Sequence, residues 1–131
     1  MLKQIDHLGI IVSDLEAAVA LYERLGYRLR LRTELDGGAT KVAFVDPPAP
    51  GAALELMQPT PGVGMLGQFL QEKGPGVHHV AFWVPDVDQA LAQLRQQGMP
   101  LMEQQSRPGI GDSRIAYAGY QDGVLIQLIH R

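Results

Sequence analysis

The sequence repeats itself, and this repeat limits the folds open to the chain more than any other feature. The stretch IDHLGIIVSDLEAAVALYERLGY, from Ile5, aligns with VHHVAFWVPDVDQALAQLRQQGM, from Val77, at an offset of 72 residues. The same offset carries LELM, from Leu54, onto IQLI, from Ile126. A register that is kept at both ends of each half indicates two copies of one supersecondary unit. Identical pairs include His7/His79, Asp14/Asp86 and Gly26/Gly98.

Each half of the repeat predicts a strand, a helix and then a set of strands. Residues 4–12 are β-rich and contain no proline, and Ser13 with Glu16 has the pattern of a capping box at the start of a helix. Apolar residues at helical spacing follow, and Gly26 suits the C-terminal cap. Further strands are predicted at 27–34, 40–46 and 52–58 in the first half, and at 99–102, 114–119 and 123–129 in the second.

These elements predict an α+β fold in which two βαβββ modules, related by a pseudo-twofold axis, form a half-open barrel around a cleft. Residues 1–131 then make a single domain, because 131 residues is the size of one domain with its own core. Module 1 covers residues 1–62, a linking helix 63–74, and module 2 residues 75–131.

Composition excludes several classes of protein. The absence of cysteine rules out a disulfide framework and thiolate metal sites, and no apolar run is long enough to span a membrane. Eleven Lys and Arg against fourteen Asp and Glu give a net charge of −3, which argues against nucleic-acid binding. We expect a cytoplasmic protein without a signal peptide. The arginine cluster favours a solvated strand face over an anion site: Arg24, Arg28, Arg30 and Arg32.

Four polar side chains lie inside strands that are otherwise apolar on both faces, which is typical of buried strands. By the alternation of side chains, His7 shares a face with Ile5, while Leu8 points to the face that the helix covers. The repeat gives His79 the same place, and a buried ionisable group must be paired, hydrogen-bonded or metal-bound. The predicted ligands of one divalent ion are His7, Glu55, His79 and Gln127.

Imidazole, carboxylate and amide ligands without sulfur suit Zn, Co, Ni, Mn or Fe, and geometry rather than affinity chooses among them. The alternative for a single buried histidine is a hydrogen-bonded core residue, but two histidines at equivalent positions favour the metal. His78 is predicted to be structural, and His130 to be solvated. Trp83 and Met57 are predicted to line the cleft. The side chains predicted to pack under the helices are Leu8, Ile10, Val12, Val80, Phe82 and Val84.

The chain resembles the vicinal oxygen chelate superfamily, the glyoxalase and bleomycin-resistance fold, over nearly its whole length. Within it the sequence is most similar to the methylmalonyl-CoA epimerases, in the stretches IDHLGIIVSDLEAAVALYERLGY, ALELMQP, GPGVHHVAFWVPDVDQALAQL, SRPGIGDSRIAY and GVLIQL. The resemblance implies a divalent metal held by His7, Glu55, His79 and Gln127. It also implies a homodimer.

The activity that the resemblance implies is a metal-dependent epimerase or isomerase, which abstracts a proton next to a metal-polarised carbonyl. Its substrate is an acyl-CoA thioester or another α-acidic carbonyl compound, and Glu55 is the candidate base. Family members usually carry Glu where this chain has Gln127, and an amide accepts no proton. A second base then has to come from a loop, with Glu34 or Asp36 as candidates.

Two alternatives stay open. A glyoxalase I-type lyase acting on a hemithioacetal needs only one base, because one group can remove and return the proton. A non-catalytic protein that sequesters a drug or metabolite is the other, since one fold hosts many functions.

Overall fold

A computed structural model describes residues 3–131. The chain divides into two compact units: an N-terminal unit, residues 7–78, and a C-terminal unit, residues 79–131 together with residues 3–6. The helices are α1 (Leu15–Arg24), α2 (Gly64–Lys73) and α3 (Val87–Gln96). The strands are β1 (Gln4–Ile11), β2 (Arg28–Leu35), β3 (Thr40–Asp46), β4 (Ala53–Pro59), β5 (Gly76–Trp83), β6 (Arg107–Pro108), β7 (Arg114–Gln121) and β8 (Val124–His130).

In the N-terminal unit, α1 packs on one face of a sheet with the strand order β2-β3-β4-β1. β1 runs parallel to β4, and β3 pairs antiparallel with β2 and β4. Leu8, Ile10 and Val12 pack against this core, as predicted from their alternation along β1. The buried residues of the core are Leu15, Val19, Ala43, Val45, Leu54 and Leu56.

The C-terminal unit repeats this plan, with the strand order β5-β8-β7-β6 and α3 over the core. Phe82 packs against the core and Val84 is part of it, while Val80 pairs with Ile126, which contacts the same core. Residues 3–6 belong to this unit, and the Lys3 amide donates to the Trp83 carbonyl at 2.8 Å. The buried residues of the core are Val84, Val87, Ala90, Leu91, Ala116 and Leu128.

The helix caps follow the repeat, although the predicted capping box is wrong by one residue. The N-cap of α1 is Asp14, not Ser13, and its carboxylate accepts from the Ala17 amide at 3.1 Å. Asp86 caps α3 in the same way through the Gln89 amide at 2.9 Å. An aspartate at this position satisfies one of the free amides of the first turn, and its negative charge suits the helix N-terminus.

The strand predicted at 99–102 is wrong. The structure assigns no strand there, and the next strand, β6, has two residues. Pro100 removes a donor from the segment, which disfavours regular pairing. The chain still follows β7, since the Met102 amide donates to the Ala118 carbonyl at 2.9 Å.

The linking helix is present as α2, inside the predicted segment 63–74. Gly67 packs so closely that a Cβ at this position would collide with the Thr60 carbonyl, which fixes the helix near the end of β4. Among residues 3–131, no helix is long and apolar enough to cross a membrane. The single domain with module bounds at 62 and 75 stays a prediction.

Candidate metal centre

His7 and Glu55 are neighbours on the face of the N-terminal sheet that α1 does not cover. They lie on the adjacent parallel strands β1 and β4, and His7 Nε2 is 3.4 Å from Glu55 Oε1. Their exposed fractions are 3% and 5%. Gly9, which carries no side chain, pairs with Glu55 in the strand register.

The surroundings of this pair are apolar. Phe44 lies directly across from Glu55 on β3, and its ring meets that of His7 edge-to-face at 5.7 Å. Ile11 lies four residues after His7, and Met57 lies two residues after Glu55, so both side chains point to the same face as these ligands. Both are fully buried. Charges in such a dry environment interact strongly, so a partner or a cation is required for the carboxylate.

In the C-terminal unit, His79 and Gln127 occupy the equivalent strands β5 and β8. Their exposed fractions are 2% and 5%. Gln127 pairs with Ala81 on one side and Tyr117 on the other. The Tyr117 ring meets the His79 ring edge-to-face at 6.0 Å, so these three side chains share one face of the sheet.

Three of the four predicted ligands are brought together. One ligand atom each of His7, Glu55 and His79 lies within 4.8 Å of the other two, and all three side chains are buried. Ligands bonded at about 2.1 Å to one ion lie roughly 3–4 Å apart, and the 3.4 Å of the first pair fits this spacing. Two imidazoles and a carboxylate are therefore a donor set that fits a divalent ion.

An arginine is stacked over each aromatic ring that contacts a predicted ligand. The Arg30 guanidinium lies 5.1 Å from the Phe44 ring centroid, and that of Arg107 lies 5.3 Å from the Tyr117 ring. Sequence reasoning missed both aromatic residues. They could have been identified by strand pairing, since Phe44 pairs with Glu55 and Tyr117 with Gln127 on the neighbouring strand.

A carboxylate holds each of these arginines. Arg30 Nε donates to both oxygens of Asp46, at 3.0 and 2.8 Å, and Arg107 Nε donates to Glu103 at 2.8 Å. Burial raises the pKa of Glu103, but hydrogen bonds from Arg107 and from the Tyr117 amide outweigh it and lower that pKa. Glu103 in turn raises the pKa of Arg107. A carboxylate therefore fixes the position of each guanidinium group.

The other two histidines have structural contacts. His78 is buried against the Phe69 ring, in line with its predicted structural role. The prediction that His130 is solvated is wrong: its Nδ1 accepts from the Val87 amide at 2.9 Å. Because this amide belongs to the first turn of α3, the imidazole completes the helix cap.

The remaining predicted residues are placed as follows. Met57 is buried on the Glu55 face, and Trp83 is 36% exposed with Lys3 Nζ over its ring at 5.4 Å. Glu34 pairs with Lys41, on the sheet face opposite that of Glu55. Asp36 begins a short 3₁₀ turn with φ of 53°.

Residues 6–117 match the family model of the Glyoxalase/Bleomycin resistance protein/Dioxygenase superfamily. This is most of the chain. The chain belongs to this superfamily. The predicted resemblance to the vicinal oxygen chelate fold is thereby confirmed.

The relatives include several methylmalonyl-CoA epimerases. The ethylmalonyl-CoA/methylmalonyl-CoA epimerase of Cereibacter sphaeroides is 32% identical over 91% of this chain and 84% of its own length. The crystal structure of methylmalonyl-CoA epimerase from Mycobacterium tuberculosis superposes with a TM-score of 0.88 at 34% identity, covering 98% of this chain and 87% of that one.

A methylmalonyl-CoA epimerase in complex with methylmalonyl-CoA and NH4+ has a TM-score of 0.85 at 32% identity, over 98% of this chain and 94% of the other. These similarities confirm the predicted α+β fold class of two βαβββ modules. They also relate the chain to the epimerases of the superfamily. The predicted homodimer and cytoplasmic location stay predictions.

Proposed function

We propose that the chain is a divalent-metal-dependent enzyme that moves a proton at the carbon next to the carbonyl of an acyl-CoA thioester. Epimerisation of a methylmalonyl-CoA-like substrate is the reaction. The observation that carries the proposal is the buried group of His7, Glu55 and His79. Membership of a superfamily that includes acyl-CoA epimerases supports it.

The proposed metal ligands are His7, Glu55 and His79, with Gln127 as the fourth through its amide oxygen. Nitrogen and oxygen donors without sulfur suit Zn, Co, Ni, Mn or Fe. When bound, such an ion supplies Lewis-acid polarisation of a carbonyl oxygen, which makes the neighbouring C–H more acidic. The burial of Gln127 at 5% exposure supports its inclusion, since an amide at such a position needs a partner.

The residues of the chain then have separate tasks. Glu55 is the proposed base, because it is the carboxylate of the ligand set. A cation beside it would lower its basicity. Phe44 and Met57 exclude water from the same face, which preserves the strength of electrostatic interactions there. Gln127 is proposed to act as a ligand, and its amide accepts no proton. The ligand set therefore lacks the second proton-transfer group that an epimerase uses.

The first test is the metal content of the purified protein. Elemental analysis is expected to find about one divalent ion per chain in the wild type, and less than about a tenth of this in His7→Ala and His79→Ala, because each loses one nitrogen ligand. His130→Gln is the matched control, since His130 contacts the first turn of α3 and keeps a hydrogen-bond acceptor after the change. Full metal content in both alanine variants would rule out the site.

The second test is the exchange of α-protons in deuterated water, followed by mass spectrometry. Methylmalonyl-CoA is expected to exchange and racemise with the metal-loaded wild type. Exchange confined to hemithioacetals would replace the proposal with the glyoxalase-type lyase. Tight binding of these compounds without exchange would favour the sequestering protein.

A further inference from the structure

A β-bulge in β2 separates arginines that a regular strand would keep together. Arg28, Arg30 and Arg32 stand at alternate positions, so unbroken alternation would place all three on one face. The register of β2 against β3 shifts between Leu29 and Leu31, which marks a bulge at Arg30. Bulges redirect side chains and are frequent next to functional sites. The three arginines are exposed, as predicted, but the prediction that they share one face is wrong.

Arg30, at the bulge, and Arg32, after it, point to opposite faces of the sheet. Arg32 pairs with Ala43 and forms hydrogen bonds of 2.7 and 2.9 Å to Glu16 of α1, on the helix-covered face. Arg30 lies over the Phe44 ring, on the face that carries His7 and Glu55. Only one of the two is thus placed beside the candidate metal centre.

A second arginine stands beside the carboxylate that Arg30 contacts. This carboxylate is that of Asp46, and Arg28 is directly opposite Asp46 in the strand register. Both bonds to Asp46 come from Arg30 Nε. Within residues 3–131, neither of its η nitrogens donates a hydrogen bond, and 42% of the side chain is exposed.

The equivalent arginine of the C-terminal unit is more fully occupied. Arg107 donates to Glu103 through both Nε and Nη2, at 2.8 and 3.2 Å. The Tyr117 side chain, over which this guanidinium is stacked, also helps to raise the pKa of Arg107. The corresponding ring under Arg30 is Phe44, which has no hydroxyl group. Arg30 therefore keeps planar, pre-positioned donors that Arg107 has used.

We propose that Arg30 binds an anionic group of the substrate, a carboxylate or a phosphate, and so determines which thioesters enter the site. This inference rests on the proposed acyl-CoA function. A guanidinium fork recognises planar or tetrahedral oxyanions through paired hydrogen bonds. Asp46 and the Phe44 ring hold the fork in place, which reduces the conformational entropy lost on binding.

The test measures binding to the metal-loaded protein by titration calorimetry with three probes. Methylmalonyl-CoA carries a carboxylate and phosphates, propionyl-CoA lacks the carboxylate, and methylmalonyl-pantetheine lacks the phosphates. Arg30→Ala is expected to raise the Kd of methylmalonyl-CoA about 10- to 100-fold, the effect of losing charge-assisted hydrogen bonds. Arg30→Lys keeps the charge but not the paired donors of the guanidinium group, so its Kd is expected to lie between those of the wild type and Arg30→Ala.

The probes distinguish the two sources of the anion. If Arg30 binds the acyl carboxylate, Arg30→Ala weakens methylmalonyl-pantetheine and leaves propionyl-CoA unchanged. If it binds a phosphate, the pattern reverses. Arg32→Ala is the matched control. Arg32 lies on the same strand as Arg30 and is exposed to a similar degree, but its side chain points to the opposite face of the sheet. Its Kd values are expected to stay within about twofold of the wild type.

Equal Kd values for Arg30→Ala and Arg32→Ala with all three probes would overturn the inference, as would a wild type that binds none of them. Deuterium exchange is measured in parallel, so the two proposals can fail separately. Exchange in the wild type with no effect of Arg30→Ala on binding removes the role of Arg30 alone. A selective loss of binding without exchange removes the epimerase and keeps Arg30 as an anion-recognition residue.

Discussion

The N-terminal unit fixes the strand after its helix by continuous backbone pairing, whereas the C-terminal unit fixes the equivalent segment by a few backbone bonds together with side-chain bonds. β2 has eight residues and pairs with β3 along its length, but β6 has two. In its place, the Asp88 carboxylate accepts from the Ser106 amide and hydroxyl, both at 2.7 Å, and Arg114 donates to the Ser106 carbonyl at 2.9 Å. One scaffold position can therefore be kept by two kinds of interaction.

The chemistry of the two units differs within the same geometry. Glu55 and Gln127 stand at equivalent places beside an aromatic ring, and one has a carboxyl group where the other has an amide. The ring is Phe44 in the first unit and Tyr117 in the second, and an arginine covers each. The proposed proton transfer thus depends on the N-terminal unit, while the C-terminal unit supplies ligands and orientation.

The largest expected effect comes from exchanging the charged and neutral residues. Glu55→Gln is expected to reduce α-proton exchange at least about 100-fold, because it removes the proposed base and a charged ligand. Gln127→Glu is expected to raise exchange, since it restores a proton acceptor in the second unit. Both are measured by deuterium incorporation into methylmalonyl-CoA.

The double variant Glu55→Gln/Gln127→Glu sharpens the comparison, because it returns the wild-type charge with the carboxylate in the other unit. Partial recovery of exchange relative to Glu55→Gln is expected if the two positions are chemically equivalent. Unchanged exchange in Gln127→Glu, together with no recovery in the double variant, would show that the units are not interchangeable at this position.

The repeat makes much of the fold predictable from the sequence. A constant offset of 72 placed His7, His79, Glu55 and Gln127 on corresponding strands, and alternation correctly placed Leu8 and its neighbours under α1. These inferences hold because strand alternation and helical periodicity are local properties. They fix faces and elements, and therefore which buried polar residues can meet.

The other features of the site could not be predicted, because they depend on irregularities of the strands that the amino-acid sequence does not indicate. The bulge at Arg30 reverses the face of one arginine, and nothing in RLRLRTEL distinguishes it from a regular strand. Tyr117 was missed because Phe44 and Tyr117 differ by 73 residues, one more than the repeat, so the offset of 72 leads to Ala116. Hydrogen bonds such as Asp88 to Ser106 join residues 18 apart and likewise have no periodic signal.

A smaller effect is expected from breaking the side-chain bonds of the C-terminal unit. Asp88→Asn should lower the free energy of unfolding by about 1 kcal/mol near pH 7, because a charged acceptor of two hydrogen bonds is lost at a position that water partly screens. The Ser106 amide and hydroxyl lower the pKa of Asp88 from its usual 3.8. The stabilisation is therefore complete above that value, and it is lost as the pH falls through the lower pKa of the folded state.

The measurement is urea unfolding of the wild type and Asp88→Asn between pH 7 and pH 2. The difference between them is expected to be constant down to about pH 4 and to shrink below it. Asp112→Asn is the control, since Asp112 is an exposed carboxylate of the same unit. A difference that does not change with pH would mean that the Asp88 charge contributes nothing to the contact.

The smallest expected effect concerns a contact that both units make with different residues. The Leu15 amide of α1 donates to Gln58 Oε1 at 2.7 Å, and the Val87 amide of α3 donates to His130 Nδ1 at 2.9 Å. Both pairs are 43 residues apart and related by the repeat. The amides of a first helical turn have no partner within the helix, so each side chain supplies the missing acceptor.

If the two acceptors are equivalent, one should replace the other. Gln58→Leu and His130→Leu are each expected to lower stability by about 0.5–1 kcal/mol, the size of a lost helix cap, and to lower Tm by a few degrees. His130→Gln, which installs the acceptor of the N-terminal unit, should keep the wild-type Tm, because a glutamine oxygen can reach the Val87 amide as it reaches that of Leu15. A Tm for His130→Gln as low as that for His130→Leu would mean that the imidazole ring acts through packing, and that the symmetry of the two caps is one of position only.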